Sequence, residues 1–212
     1  MKPTYYREIQ QGSEEWLQIR AGRITGTDAA TLLVNGKSAN GLGTGAMGLL
    51  YKKAAEFVTG PEESGFVNYA MQRGTELEPY ARAEYETRTW NHVEQVGFVS
   101  VGEYFGVSPD GLVGYDGIIE IKCPMGAEFV RFVDTKEIPE AHIAQMQWAL
   151  FLTGRKWCDY VVFNPDFEPA ALHVVRVHPA TEYSGRFMDK ITVWVQELER
   201  VLSLLAIEKM DV

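Results

Sequence analysis

The segment Ser108-Pro109-Asp110-Gly111-Leu112-Val113-Gly114-Tyr115-Asp116-Gly117-Ile118-Ile119-Glu120-Ile121-Lys122-Cys123-Pro124 sets two carboxylates and an amine in a short stretch bounded by prolines. Read as a hairpin with Tyr115-Asp116 as a two-residue turn, it puts Gly111 opposite Glu120 and Asp110 one step further along. Side chains alternate along a strand, so Glu120 and Lys122 share one face while Ile119, Ile121 and Cys123 turn into the core. Asp110, Glu120 and Lys122 then converge at one end of the hairpin. Such a set suits phosphodiester hydrolysis. Two carboxylates and waters can hold a hard cation such as Mg²⁺, and the carbonyl of Ile121, between the two charged side chains, could add a ligand. The metal activates water and neutralises charge on the scissile phosphate. Lysine, a point charge, can orient or deprotonate that water, or stabilise the oxyanion. The competing reading is a surface hairpin with a Glu–Lys pair and a turn-forming Pro-Asp-Gly. The isoleucines weigh against it, because charges on an otherwise buried strand are costly unless used or paired.

The surrounding pattern supplies the elements that must hold this hairpin. Ser13 caps a helix running to about Arg20, with Glu14 and Glu15 in its first turn. Thr25 or Thr27 caps a second short helix ending near Leu33. The Gly-, Asn- and Ser-rich stretch 35–48 reads as the most flexible part of the chain. Helices are expected over 45–58, closed by Gly60-Pro61, and over 67–88, where Pro79 should bend or break the second. Short β-rich runs follow at Val93–Val101, Tyr104–Val107, Leu112–Gly114 and Ile118–Cys123. Then come helices at 126–135 and 139–153, strands at Trp157–Phe163 and Ala171–Val177, and a long helix over 180–207. This order predicts an α/β fold with a mixed β-sheet core flanked by helices. It predicts one domain over 1–212, with a helical N-terminal elaboration over about 1–90 and a C-terminal helix over about 180–207.

Bulk composition narrows the function classes. With 46% hydrophobic and 23% charged residues, the 212-residue chain is of ordinary globular type. Cys123 and Cys158 form no zinc-binding spacing, and His92, His173 and His178 add none. The N-terminus lacks an apolar leader and the longest apolar run, Met146–Thr153, is far too short to span a bilayer, so a reducing cytoplasm is expected. Net charge is −9, yet the first 60 residues hold seven basic groups against five acidic. The remainder carries 13 basic against 24 acidic residues. A nucleic acid feels local surface rather than total charge.

The blocks EEWLQIRAGRITGTDAA, RGTELEPYAR, SPDGL…IEIKCP and AHIAQMQWALFLTG, in that order over roughly residues 12–165, resemble the phage recombination exonucleases typified by bacteriophage lambda exonuclease, the YqaJ-like viral recombinase nucleases. The resemblance implies a restriction-endonuclease-like PD-(D/E)xK core. It implies 5′→3′ degradation of one strand of linear duplex DNA, leaving a 3′ single strand. It further implies two Mg²⁺ ions per site with Mn²⁺ able to substitute, a homotrimeric ring, a single-strand annealing partner and a phage- or prophage-encoded protein of the bacterial cytoplasm. Residue by residue, Asp110, Glu120 and Lys122 match the central triad. Glu78 matches an upstream acidic metal ligand, with Glu76 the competing choice, and Gln145 matches a glutamine facing the site, with Gln147 two positions on. Arg20 matches the basic residue that holds the 5′-phosphate, and Thr27 falls where the family uses a serine.

Taken without the resemblance, Glu78 is a first-turn helix acid, Arg20 a helix C-terminal cation and His142 an exposed helical residue. Trp16, Trp148 and Trp194 read as core or interface rather than as base-stacking platforms. Two readings compete with the exonuclease: a restriction-type or junction-resolving endonuclease of the same fold, and a DNA-end-binding module with a vestigial site. Iron–sulfur nucleases need four cysteines, and this chain has two.

Overall fold

A computed structural model of the chain describes residues 2–37, 40–62 and 69–210, the last five as backbone alone. In chain order these form β1 (Pro3–Tyr6), α1 (Glu14–Arg20), a 3-10 turn (Gly26–Asp28) running into α2 (Ala29–Leu32), α3 (Thr44–Thr59), α4 (Tyr69–Thr89), β2 (Val93–Glu94) and β3 (Phe98–Val101). They continue through β4 (Phe105–Val107), β5 (Gly111–Val113), β6 (Gly117–Lys122), α5 (Gly126–Thr135), α6 (Glu140–Thr153), β7 (Trp157–Phe163), a second 3-10 turn (Pro165–Phe167), β8 (Leu172–Val177) and α7 (Thr181–Met210). The strands make two sheets, β1-β3-β4 and β2-β5-β6-β7-β8. The larger is mixed: β6 and β7 run parallel and every other neighbouring pair in it is antiparallel. This is the flanked mixed sheet that the sequence implies.

Both faces of the β6–β7 pair are covered, which is why these strands are almost continuously buried rather than alternately so. Ile118, Cys158, Tyr160 and Val162 pack on one side with Ala144, Met146 and Trp148 of α6. Ile119, Ile121, Val161 and Phe163 pack on the other with Ala81 and Tyr85 of α4. The buried α6 is apolar on most of its circumference, as a helix between layers must be. Phe187, Trp194 and Leu198 of α7, all fully buried, close the first core. A buried carboxylate pins α4 to the sheet: Asp159 accepts from Tyr85 Oη at 2.8 Å and from Arg176 at 2.7 and 2.8 Å.

Four expectations are corrected. The hairpin turn has three residues, Gly114-Tyr115-Asp116, and the register is Gly111↔Ile119, not Gly111 opposite Glu120. Gly114 adopts φ +52°, a left-handed conformation that lets the extra residue fit. Val93–Val101 is two strands in different sheets. The switch occurs at Gly97, whose N–H donates to Tyr6 and where a Cβ would come within 2.0 Å of the Ile9 carbonyl oxygen. The stretch expected to be helical to residue 90 begins with β1, paired antiparallel to β3. Of the bend or break expected at Pro79, the break is ruled out, since α4 runs through it to Thr89 with Ala81 and Tyr85 anchored in the core beyond it.

Part of the expected helix over 67–88, residues 67 and 68, lies outside the described residues, as do 38 and 39 of the Gly-rich stretch. The described remainder of that stretch is tied down by an Asn35↔Leu42 bridge, the buried Leu42 and a 2.6 Å bond from Lys190 to the Gly41 carbonyl.

Candidate active site

The end of β6 is where backbone and charge meet. The β5 ladder stops at Gly111↔Ile119, so the edge of β6 beyond it lacks a β5 partner. Asp110 takes that place with its side chain: Oδ2 accepts from the Ile121 N–H at 2.6 Å. The N–H and C=O of one strand residue point to the same edge, so the Ile121 carbonyl also faces Asp110. Glu120, 4% exposed, lies on the adjacent face and accepts from Lys122 Nζ at 2.5 Å. Gln11 bonds the Pro109 and Val96 carbonyls at 2.9 and 3.0 Å and fixes the approach to Asp110.

From α4, Glu78 joins this group. It pairs with Arg82, whose guanidinium also donates to the Asp110 carbonyl at 3.2 and 3.3 Å. Glu76 is exposed and bonded to Gln72, so of the two acids it is Glu78 that stands at the site. Asp110, Glu78 and Arg82 border a cleft of about 550 Å³ that the N-terminal residues Gln11 and Trp16 also line. Lys122 borders a smaller hollow of about 120 Å³ with His142, Tyr160 and Arg131.

Crowded acid dominates the electrostatics. Burial, and then the charges of Glu120 and Glu78, push the Asp110 carboxyl well above its usual range. Glu78 is raised too, by burial first, with Arg82 pulling against it. Burial alone would lower the Lys122 ammonium, but Glu120 and Asp110 outweigh it and hold the ammonium above its usual range, so it stays charged. Burial and the Lys122 charge bring His142 down to about 4. That residue is half-buried with Nδ1 2.8 Å from Tyr160 Oη, and so is not the exposed histidine that its helical position suggests.

Hard oxygen donors fit a magnesium-like ion. Asp110 Oδ1, the second Glu120 oxygen and the Ile121 carbonyl are of the right chemistry, and three carboxyls face two cations, Lys122 and Arg82. Among the described residues no three Asp, Glu, His or Cys side chains form a ready-made metal cluster. Two carboxylates, a carbonyl and retained waters suffice for Mg²⁺, which sheds its water reluctantly.

Of the remaining expected residues, Arg20 and Thr27 sit on the segment from α1 to the first 3-10 turn, and Gln145 and Gln147 on α6. Arg20 ends α1 with its guanidinium 4.0 Å over the Trp16 ring and donates to Ser108 Oγ at 2.9 Å, two residues before Asp110. Thr27 is exposed on the first 3-10 turn, which Thr25 caps. Gln145 packs against that turn, its Cγ 3.0 Å from where a Cβ on Gly26 would lie. Gln147 instead spends both ends of its amide on the residues leading into α7, donating to the His178 carbonyl and accepting from Ala180 N–H. Trp148 and Trp194 are core, and Trp16 is the shelf under Arg20. Sequence reading missed Arg82, Tyr160 and Ser108. Arg82 carried a signal, four residues after Glu78 on one helix face. Tyr160 carried none, because it meets Glu120 only through the parallel register.

A YqaJ-like viral recombinase domain matches residues 15–156. Among solved structures, the chain is similar to an alkaline exonuclease (LHK-Exo) from Laribacter hongkongensis, at 32% identity over 94% of this chain and 99% of that one, with a TM-score of 0.82. The same enzyme in complex with dAMP matches over the same shares with a TM-score of 0.81. A phage-related exonuclease from Haemophilus somnus 129PT shares the fold, at 16% identity over 86% and 96% of the two chains and a TM-score of 0.67. No curated protein matches.

Proposed function

The chain belongs to the YqaJ-like viral recombinase family, and from that premise we propose that it is a Mg²⁺-dependent 5′→3′ exonuclease. It degrades one strand of linear duplex DNA to nucleotides and leaves a 3′ single strand for recombination by strand annealing. The observation that carries this reading is the end of β6, where Asp110 holds the Ile121 N–H beside the Glu120–Lys122 pair. The dAMP complex of the similar alkaline exonuclease supports mononucleotides as products.

Bound Mg²⁺, two ions per site with Mn²⁺ able to substitute, would supply an activated water and charge neutralisation at the scissile phosphate. Asp110, Glu120 and the Ile121 carbonyl would hold one ion and Glu78 would serve the second. Lys122 keeps its proton and acts as a fixed positive charge beside the attacked phosphate. Arg82 positions Glu78 and the Asp110 backbone together, so a shift of α4 would be felt by both acids. Arg20 supplies a guanidinium fork for the 5′-terminal phosphate, with Thr27 beside it and Gln145 lining the turn.

A homotrimeric ring would reconcile a net charge of −9 with DNA binding, by turning acid outward and the basic N-terminal segment toward a channel. A single-strand annealing protein is the partner, in the cytoplasm of a bacterium carrying the phage or prophage. Among the described residues no helix is long and apolar enough to cross a membrane.

The test is digestion of a linear duplex phosphorylated at one 5′ end, alongside a covalently closed circle. The expected result is mononucleotides from the phosphorylated strand and an intact circle. Cleavage of the circle would mean an endonuclease, and binding to ends without metal-dependent cleavage would mean an end-binding module.

A further inference from the structure

The segment from Arg20 to Thr27 is held from behind by buried charge on α3. Lys53 and Glu56 are only 7% and 8% exposed. Glu56 Oε2 accepts from the Gly22 N–H at 3.0 Å, two residues after Arg20, and from Lys53 Nζ at 3.0 Å. Lys53 also lies 3.9 Å from Asp28, whose carboxylate accepts from the N–H and hydroxyl of Thr25 at 2.9 and 3.1 Å and so fixes the turn that carries Thr27. Apolar contacts already join these elements, since Ala46, Leu50 and Ala54 share one core with Ala29 and Leu32. Buried ions are a costly way to repeat that work.

Charge, not packing, is what Lys53 adds. Burial brings the Arg20 guanidinium below its usual range, and the charges of Asp28 and Glu56 act on it in the opposite direction. Two acids behind one guanidinium would repel an approaching phosphate. With Lys53 in place, two cations offset two anions. Lys52 reaches Glu56 only across the surface, at 3.7 Å with its side chain half exposed, where screening makes it weak.

We propose that Lys53 is a specificity-determining positioning residue for 5′-phosphorylated ends, the buried counter-cation that keeps Asp28 and Glu56 from cancelling the charge of Arg20. The proposal rests on the reading of Arg20 as the 5′-phosphate ligand. Its signature is a pair of opposite effects. Lys53→Met leaves the pocket with excess acid, and Glu56→Gln leaves it with excess base while keeping an acceptor for Gly22.

The experiment measures kcat/KM on otherwise identical duplexes bearing 5′-phosphate or 5′-hydroxyl ends. Lys53→Met should lower the value for phosphorylated ends about tenfold, chiefly through KM, and leave hydroxyl ends within about twofold. Glu56→Gln should keep or raise the phosphate preference, and the double variant should return toward wild type. If both single variants lose the preference, or if Lys53→Met loses activity equally on both ends, the pair is merely structural and the proposal falls. Should Lys53→Met not fold, Glu56→Gln and the double variant decide, by preference kept or lost. A wild type indifferent to the phosphate overturns the Arg20 reading itself, whereas a preference unchanged in Lys53→Met overturns this proposal alone.

Discussion

Asp110 is asked to be a carboxylate where its surroundings favour the acid. Its folded-state pKa is raised, so the folded chain holds that proton more tightly than the unfolded one. The associated stability is full below the ordinary carboxylate value and is lost as pH rises through the raised one. The metal-free protein should therefore lose stability on this account above about pH 4. Asp110→Asn removes the charge and keeps an oxygen for the Ile121 N–H. It should abolish cleavage, yet raise the melting temperature in chelator by about 2–4 °C, roughly 1 kcal/mol after allowing for the solvent-facing side. Calorimetry at pH 7–8 checks this, and a lower melting temperature would mean that the proposed acid crowding is absent. His142 reports on the same charges. Its pKa of about 4 keeps it neutral at pH 6, and nuclear magnetic resonance should see it rise in Lys122→Ala, where one of the two causes is gone. For a lowered histidine the unfolded state takes up the proton first, so stability falls as pH drops from the ordinary value toward 4.

At the scale of elements, α4 must stay docked for Glu78 and Arg82 to reach the hairpin, and the Tyr85–Asp159–Arg176 pin holds it there. Tyr85→Phe removes a bond to a buried carboxylate and should cost about 1.5–3 kcal/mol. Urea unfolding measures that loss, which should come with little change in cleavage rate at saturating Mg²⁺ and DNA. Much of this architecture could be read from residues alone. Glu14–Arg20 announces itself by the Ser13 cap and first-turn acids, and Trp157–Phe163 and the two helices before it by apolar runs set between turn residues. The alternation Ile119-Glu120-Ile121-Lys122 placed the two isoleucines in the core and left Glu120 and Lys122 to pair with each other, because a period of two needs no partner to be known. The turn was misplaced by one residue because Gly114 can enter the left-handed region and nothing in Val-Gly-Tyr-Asp-Gly chooses between a two- and a three-residue loop. The sheet switch at Gly97 and the strand β1 depend on a contact with residues 6–9 that no local pattern encodes. Tyr160 and the bond from Arg82 to the Asp110 carbonyl escaped for the same reason, each depending on a partner distant in sequence, whereas the Glu78–Arg82 pair was legible in its spacing.

At the scale of the whole molecule, an acidic chain must present base locally to hold DNA. A ring predicts three times the chain mass by light scattering and binding that weakens steeply with salt, as phosphate contacts release counterions. A monomer would remove the ring while leaving the proposed hydrolytic centre untouched, since every residue assigned to it comes from one chain. The centre itself is tested most directly by single-turnover cleavage of a 5′-phosphorylated linear duplex by wild type and Lys122→Ala, in Mg²⁺ and in chelator, with DNA binding measured in parallel. The expected result is cleavage by wild type in Mg²⁺ alone, and a rate at least about a hundredfold lower in the variant with DNA still bound. Cleavage in chelator, or an undiminished rate in Lys122→Ala, would contradict the assignment of the Asp110–Glu120–Lys122 end of β6 as the place where the phosphodiester is broken.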